Sequence, residues 1–286
     1  MIFNEAVPYE VPHMILAAYL LTAFVVASVY AVGMLRGRRD RHHRLGLLIP
    51  LTVGCLLAPV QFAVGDTAAR AIAKDQPIKF AAIECVQQTQ THVTEYLGGR
   101  CTSEGVKGGI GIPGLDSWLV GFSTDTEVIG LDTAPPENRP PANTMLHLAF
   151  DLMVGIGSAL IGLGIWFAVV WWRRRDIPKT KWFLRAVAVS GVAVGLALEA
   201  GWIVTEVGRQ PWIVYEVMRT EDAVTDASGV WVTFSLVFAL YVVLGVGLVM
   251  VLRTMSRRWR EAGVGNVESP YGPSPAGPER AVGEEG

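Results

Sequence analysis

Apolar residues are concentrated in five long stretches that alternate with polar connections. The stretches cover residues 11–35, 45–64, 145–172, 182–207 and 230–252. A helix needs about 20 mainly apolar residues to cross the hydrocarbon core of a bilayer. The pattern therefore predicts an all-α, polytopic bundle of about five transmembrane helices within residues 1–262.

Basic residues mark one side of this predicted bundle. Arginine and lysine cluster at residues 36–44, 173–181 and 253–260, beside the ends of the apolar stretches. The positive-inside rule places these clusters in the cytoplasm, so the N-terminus, the longest connection and the connection at 208–229 are expected outside. The last residues, 263–286, are rich in Pro, Gly and Glu and are expected to form a disordered cytoplasmic tail.

Composition narrows the class of protein further. Only 17% of the residues are charged and 51% are hydrophobic, whereas a soluble domain has about 25% charged residues. The formal net charge is -2, and no basic face extends beyond the short arginine clusters. We therefore expect a lipid bilayer as the surroundings and no nucleic acid as a partner.

The connection at 65–142 is far longer than loops usually are, which indicates a function or disorder. Its head reads GDTAARAIAKDQPIKFAAIE and carries Lys79 and Glu84, five positions apart on a short helical pattern. These side chains would project about 140° apart, able to reach round a ligand. An ammonium group can hold a quinone oxygen, and a carboxylate can take a hydroxyl proton. The alternative is a solvated amphipathic helix on the membrane surface.

Two cysteines of this connection, Cys85 and Cys101, would lie in an oxidising compartment, where disulfides persist. We predict a bridge between them. Closing a loop of this size contributes about 3 kcal/mol in the chain-entropy model, and the bridge would stiffen the chain directly after Glu84.

Three side chains within the apolar stretches could serve a cofactor. His13 begins the first stretch and is either a metal ligand or an interfacial histidine bonded to water or lipid headgroups. Met153 is either a packing residue or a thioether ligand of haem iron. By helix rise it would lie about 10 Å deeper than His13, so the first helix should start further out or tilt. Asp151 should be partnered or face a polar cavity, because an acid at that depth costs about 2.5–3.5 kcal/mol on insertion scales.

Three stretches together resemble one protein family. They are GWIVTEVGRQPW at 201–212, the GD…QPIKFAAIE head of the long connection, and FDLMVGIG at 150–157. In this combination nearly the whole chain resembles the C-terminal part of subunit I of the cytochrome bd quinol oxidases. The resemblance implies that residues 65–142 form a quinol-binding loop, and it implies a bacterial cell (inner) membrane location.

The resemblance also implies the roles of individual residues. His13 and Met153 would be the axial ligands of a low-spin haem b, and Lys79 and Glu84 would contact the quinol. The remaining implied cofactor-binding residues follow the fourth span or lie near its end, and they are Trp202, Arg209, Trp212 and Glu216. Of these, Glu216 matches a family acid near the high-spin haem pair.

Two departures from the family limit what is expected. The family's subunit has about nine spans, and the missing N-terminal ones supply ligands for haem d and the high-spin haem b. Alone, the chain is therefore expected not to reduce oxygen. It would be a truncated copy or join a separately encoded N-terminal half, together with subunit II.

Asp151 stands where many members have arginine, so the haem potential is expected to differ. The alternatives are a haem b electron-transfer protein without oxidase activity and a haem-free scaffold or transporter.

Overall fold

The computed structural model describes residues 6–261 of the chain, with side chains described through residue 258. Five helices are long and apolar enough to span a membrane: α1 (Val7–Leu35), α2 (Arg41–Asp75), α5 (Thr144–Arg174), α6 (Lys181–Arg209) and α7 (Val230–Glu261). Two short helices, α3 (Pro77–Glu84) and α4 (Leu115–Gly121), lie between α2 and α5. The predicted helical membrane bundle is confirmed. The predicted tail at 263–286 lies outside the described residues.

Four of the long helices form a ring. Helix α1 packs against α2 and α6, and α5 packs against the same two helices, so α1 and α5 occupy opposite corners. The connections at 36–40 and 175–180 lie at one end, which we call the arginine end. The connection between α2 and α5 lies at the other, which we call the segment end. Helix α7 belongs to a separate unit that begins at Thr225.

The core at the arginine end is almost entirely apolar. Its fully buried side chains include Phe24, Leu47, Leu51 and Phe183. Close approach of the helices depends on glycine here, since a Cβ added at Gly191 would lie 2.4 Å from the Ser28 hydroxyl oxygen. Asp40 and Thr180 cap the first turns of α2 and α6 at this end.

Helix α2 is longer than the apolar run that predicted it. It continues to Asp75, eleven residues beyond position 64, so the connecting segment is 76–143 rather than 65–142. Loss of hydropathy at Asp66 marks the end of the apolar run and not the end of the helix. Asp66 and Arg70 form an ion pair at i,i+4, with Nε to Oδ2 at 3.0 Å, and the alanines around them favour helix. The helix ends two residues before Pro77, and Gln76, the residue that precedes the proline, has left the helical conformation.

The connecting segment carries two small antiparallel strand pairs that the sequence did not predict. Strand β1 (Glu95–Leu97) pairs with β4 (Ile110–Ile112), and between them β2 (Arg100–Thr102) pairs with β3 (Gly105–Lys107). Runs of three residues rich in glycine are too short for an alternating pattern to be visible. A disulfide joins Cys85, at the end of α3, to Cys101 in β2, with the Cα atoms 5.7 Å apart.

A third strand pair follows α6, within the predicted loop at 208–229. Strands β5 (Trp212–Val214) and β6 (Met218–Arg219) are antiparallel. The Thr220 hydroxyl donates a hydrogen bond to Gln210 Oε1 at 2.8 Å and holds the pair against the end of α6. The Arg219 guanidinium donates to Asn138 Oδ1, which ties the pair to the α2–α5 segment.

Candidate functional site

The short helix α3 is buried at the segment end. The pattern KFAAIE predicted a helix here, and this is confirmed. The alternative of a solvated surface helix is excluded, because the Lys79 and Glu84 residues are only 5% and 8% exposed. Two charged side chains on one buried eight-residue helix require specific surroundings, since burying an unpaired charge is costly.

Lys79 faces the end of α6 and the start of α1. Its stem lies along Gly208, where an added Cβ would be 3.5 Å from the lysine Cγ and Cε atoms. Burial lowers the pKa of Lys79 and the charge of Arg209 lowers it further, while Glu10 and Glu206 raise it. An ammonium group is therefore held in a sheltered place where another cation repels it.

Glu84 faces the connecting segment instead. Burial raises the pKa of Glu84 well above its ordinary value, and the charges of Glu95, Asp116 and Asp151 raise it further. The two charged residues of α3 thus have different neighbours, as expected for side chains projecting about 140° apart. The cation faces the helix ends, and the acid faces other acids.

His147 joins α5 to the segment and was not identified from the sequence. Its fully buried ring places Nδ1 3.1 Å from the Ile83 carbonyl oxygen and Nε2 3.3 Å from the Gly98 carbonyl oxygen. Asp151 lies one turn further along α5, accepts the Gly98 N–H at 2.7 Å and is 3.5 Å from His147 Nε2. The expectation that Asp151 is partnered is confirmed. Histidine and aspartate four positions apart on a helix were the available signal.

Two more buried acids of the segment carry no sequence signal. Glu95 in β1 is 8% exposed and Asp116 at the start of α4 is 1% exposed. Within the described residues neither carboxylate oxygen of Asp116 has a hydrogen-bond partner. Burial, aided by the charges of Asp116 and Asp151, raises the pKa of Glu95 to about 8, and burial raises that of Asp116 to about 7. In a polar stretch such acids are normally solvated, which is why the sequence gave no indication of their burial.

His13 lies against α2. The Gln61 amide nitrogen is 3.2 Å from Nε2 and 3.3 Å from Nδ1, while Gln61 Oε1 is buried without a partner among the described residues. A Cβ added at Gly65 would lie 3.3 Å from His13 Cε1, so this glycine lets the ring approach the helix closely.

Met153 lies on α5, at the corner of the ring opposite α1. Its sulfur packs towards α6, where a Cβ added at Gly201 would be only 3.1 Å away. Helix α1 begins at Val7, further out than predicted. His13 and Met153 are therefore about 9 Å and 13 Å from the starts of their helices, less than one turn different. Imidazole nitrogen and thioether sulfur are both donors that haem iron accepts, and the role of these two residues as its ligands stays a prediction.

The other predicted cofactor residues are not buried. Trp202 and Arg209 are exposed on α6, and Glu216 is exposed in the turn between β5 and β6. Trp212 is half-buried, and its ring lies 5.2 Å from the Arg219 guanidinium carbon. Their assignment to cofactors stays a prediction. Across the described residues, no group of three or more His, Cys, Asp or Glu side chains has an arrangement that could hold a metal ion.

Comparison with known proteins identifies clear relatives. Residues 1–259 match the family described as cytochrome bd terminal oxidase subunit I. The chain is 35% identical over 259 residues to the putative cytochrome bd menaquinol oxidase subunit I of Bacillus subtilis (strain 168). It is 28% identical over 267 residues to the cytochrome bd ubiquinol oxidase subunit 1 of the same organism. The structure of bd oxidase from Geobacillus thermodenitrificans is similar, with a TM-score of 0.77 and 32% identity.

These relatives are considerably longer than the region that matches. The similarity to the two Bacillus subtilis proteins covers 87% of this chain but 57% and 56% of theirs. The similarity to the Geobacillus structure covers 90% of this chain and 59% of that one. The chain therefore spans less than three-fifths of the length of these relatives.

Proposed function

Because the chain belongs to the cytochrome bd terminal oxidase subunit I family, we propose that it supplies the quinol-oxidising, haem b-binding part of a quinol:oxygen oxidoreductase. The observation that carries this proposal is the joint presence of two features in one polytopic chain. One is the His13 and Met153 donor pair on opposite helices of the ring. The other is the buried helix α3 with an ammonium group near one end and a carboxyl group at the other.

The arginine end of the ring is proposed to face the cytoplasm. The connections at 36–40 and 175–180 and the helix ends beside them carry most of the arginines of the ring, and the positive-inside rule then puts the segment end outside. The disulfide between Cys85 and Cys101 supports this orientation, because disulfides persist in the oxidising compartment. The N-terminus would lie outside and the C-terminus in the cytoplasm.

His13 and Met153 are proposed to hold a haem b of the low-spin type, whose iron their imidazole nitrogen and thioether sulfur would ligate. A haem b held there would accept electrons one at a time, at a potential raised by methionine ligation. Gln61 then orients the imidazole from α2, and Gly201 leaves room for the methionine side chain beside α6. Asp151, two residues before the methionine, is bonded to the Gly98 N–H and so links this region to the segment.

Lys79 and Glu84 are proposed to bind and deprotonate the quinol. The Lys79 ammonium donates to one quinol oxygen, and the Glu84 carboxylate takes the proton of a quinol hydroxyl. A general base works best when its pKa lies near the operating pH, and burial among acids moves that of Glu84 upward in that direction. The names of the relatives include a menaquinol and a ubiquinol oxidase, so the proposal specifies a quinol and not which one.

Oxygen reduction is proposed to need more polypeptide than these 286 residues. The relatives extend well beyond the matched region, and haem d and the high-spin haem b would have ligands there. That polypeptide could be a separately encoded half, and subunit II would join the complex. The second candidate function is a haem b electron-transfer protein without oxygen reduction. This second candidate is supported by the match of the chain to only part of the length of its relatives.

A reduced-minus-oxidised absorption spectrum of the purified, haem-containing protein tests the proposal. We expect a low-spin b-type signal that disappears in His13→Ala and persists in His42→Ala, a control histidine exposed at the arginine end. A signal that survives in His13→Ala contradicts the proposed ligand. Oxygen uptake with quinol then separates the two functions, because the electron-transfer protein would show the spectrum without the uptake.

A further inference from the structure

Three carboxyl groups converge within the connecting segment. Glu84 ends α3, Glu95 begins β1 and Asp116 lies in the first turn of α4, and each residue is more than nine-tenths buried. We call them the segment acids. They come from three different elements, so the fold of the segment and not the local sequence brings them together.

The segment holds these acids in place through short-range connections. Glu95 is paired with Ile112 across β1 and β4, and Asp116 follows four residues later. The Val93 N–H donates to Ser117 Oγ at 2.9 Å, which fixes the start of α4 against the chain that enters β1. Cys85, directly after Glu84, is bonded to Cys101. The acids therefore sit on a braced part of the segment.

No salt bridge joins these acids to a cation in the part of the chain that the structure describes. Arg70 of α2, which lies over the Phe122 ring at the end of α4, is paired with Asp66. The groups of α5 that face them are the acid Asp151 and His147, whose ring nitrogens both lie against carbonyl oxygens. The charges that shift the pKa of Lys79 are instead those of Arg209, Glu10 and Glu206. Asp116 is the clearest case, since both of its oxygens are buried without a hydrogen-bond partner.

Buried like charges at such a place cannot all be ionised. Burial raises the pKa values of all three carboxyl groups, and the charges of neighbouring acids add to the rise at Glu84 and Glu95. The pKa of Glu95 reaches about 8 and that of Asp116 about 7. A bound metal ion is the other way to neutralise acids, but their arrangement does not form a metal site within the described residues. Protons are therefore the cations that this cluster suits.

We propose that Glu95 and Asp116 form a proton-transfer site that accepts the quinol proton from Glu84 and releases it to solvent at the outer face. The inference rests on the proposed function, which makes Glu84 the first acceptor. The strand pair of Glu95 leads to the surface, where Leu97 and Ile110 are exposed. The site is thus placed between the buried helix α3 and the outside of the segment.

A quinol O–H bond breaks as an O–H bond forms on the Glu84 carboxylate, and one electron leaves for a one-electron acceptor, a role that a haem b held by His13 and Met153 would fill. Glu95 or Asp116 passes its own proton to water, and the Glu84 O–H bond then breaks as an O–H bond forms on that carboxylate. Glu84 is again a carboxylate and the other acid is again protonated, and two such cycles oxidise one quinol to quinone with release of two protons.

Infrared spectroscopy tests the site without quinol. We expect the fully oxidised, purified oxidase to show protonated-carboxyl bands at neutral pH that fade as the pH is raised to about 9. Glu95→Gln and Asp116→Asn should each remove one band. Glu104→Gln, which changes an exposed acid of the β2–β3 turn, should remove none. Absence of protonated carboxyl bands at neutral pH, or bands unchanged in both variants, overturns the proposal.

Turnover of the complete oxidase tests the transfer. In Glu95→Gln/Asp116→Asn we expect kcat for quinol oxidation to fall about tenfold or more and its pH profile to change, with KM and the haem b spectrum unchanged. Glu104→Gln should match the wild type. If the bands disappear and kcat does not fall, the transfer site is wrong and the proposed function survives. If Glu84→Gln leaves kcat unchanged, the proposed role of Glu84 fails and the inference fails with it.

Discussion

The core at the arginine end and the core at the segment end share helices α2, α5 and α6 but contain different residues. Within the described chain, the buried arginine-end core has no ionisable side chain, and Ser190 is its buried polar residue. The buried acidic, basic and histidine residues of the described chain all lie at the segment end, and they are Lys79, Glu84, Glu95, Asp116 and His147. Apolar packing stabilises the first region, whereas the second keeps costly groups away from water.

This difference indicates that the buried residues at the arginine end stabilise the fold, whereas those at the segment end serve chemistry. Buried acids without a compensating cation destabilise a protein, and apolar residues of similar size would pack there without that cost. Their presence at the segment end only, around a helix with both an ammonium and a carboxyl group, therefore supports placing the quinol chemistry there.

The largest effect is expected from Glu84→Gln. The amide keeps the size of the side chain but cannot take a proton, so kcat for quinol oxidation by the complete oxidase should fall by about 100-fold or more. Glu127→Gln, at an exposed acid of the same segment, should be without effect. If the two variants are equally active, the buried Glu84 carboxyl group is not needed for turnover.

Removing the disulfide should destabilise the segment end specifically. Cys101→Ser is expected to cost about 3 kcal/mol in the chain-entropy model, seen as a lower thermal midpoint and as faster proteolysis within residues 86–131. A reductant should have the same effect on the wild type and none on the variant. Cys55→Ala, at the free cysteine of α2, is the control and should leave proteolysis of the segment unchanged.

Lys79→Met should affect binding more than turnover. Methionine keeps the packing along Gly208 and loses the ammonium donor. A hydrogen bond from a charged donor contributes about 1.5–3 kcal/mol, so KM for quinol should rise about tenfold or more while kcat changes less. Steady-state kinetics of Lys79→Met and Arg209→Met should be compared. A similar rise in KM in both variants would assign the effect to the positive charge near the end of α6 and not to Lys79 itself. A fall in kcat alone would contradict the binding role.

The two regions also differ in how far the sequence predicts them. The spans were predictable because bilayer thickness sets their length, and α3 was predictable from its proline start and helical pattern. The end of α2 at Asp75 was missed because hydropathy reports where the chain leaves lipid and not where a helix stops. Burial of Glu95 and Asp116 depends on pairing of three-residue strands across a loop. The register of such short strands is not visible in local sequence.

The last expected effect is a pH dependence of stability between about pH 5 and about pH 8, which should come from the segment end. Glu95 has a folded-state pKa of about 8, raised above its ordinary 4.5. Between these pH values the folded protein retains a proton that the unfolded chain has lost, so stability falls as pH rises. The fall is at most about 1.4 kcal/mol per pH unit for this one group and stops above about pH 8.

Thermal midpoints of the purified protein from about pH 5 to about pH 9 measure this slope. Glu95→Gln should flatten it and raise the midpoint at the alkaline end, because the amide removes a buried charge that forms only there. Glu104→Gln, at an exposed acid, should reproduce the wild-type slope. A slope that is unchanged in Glu95→Gln would assign the pH dependence to groups outside the segment acids, and the contrast between the two cores would then be one of packing alone.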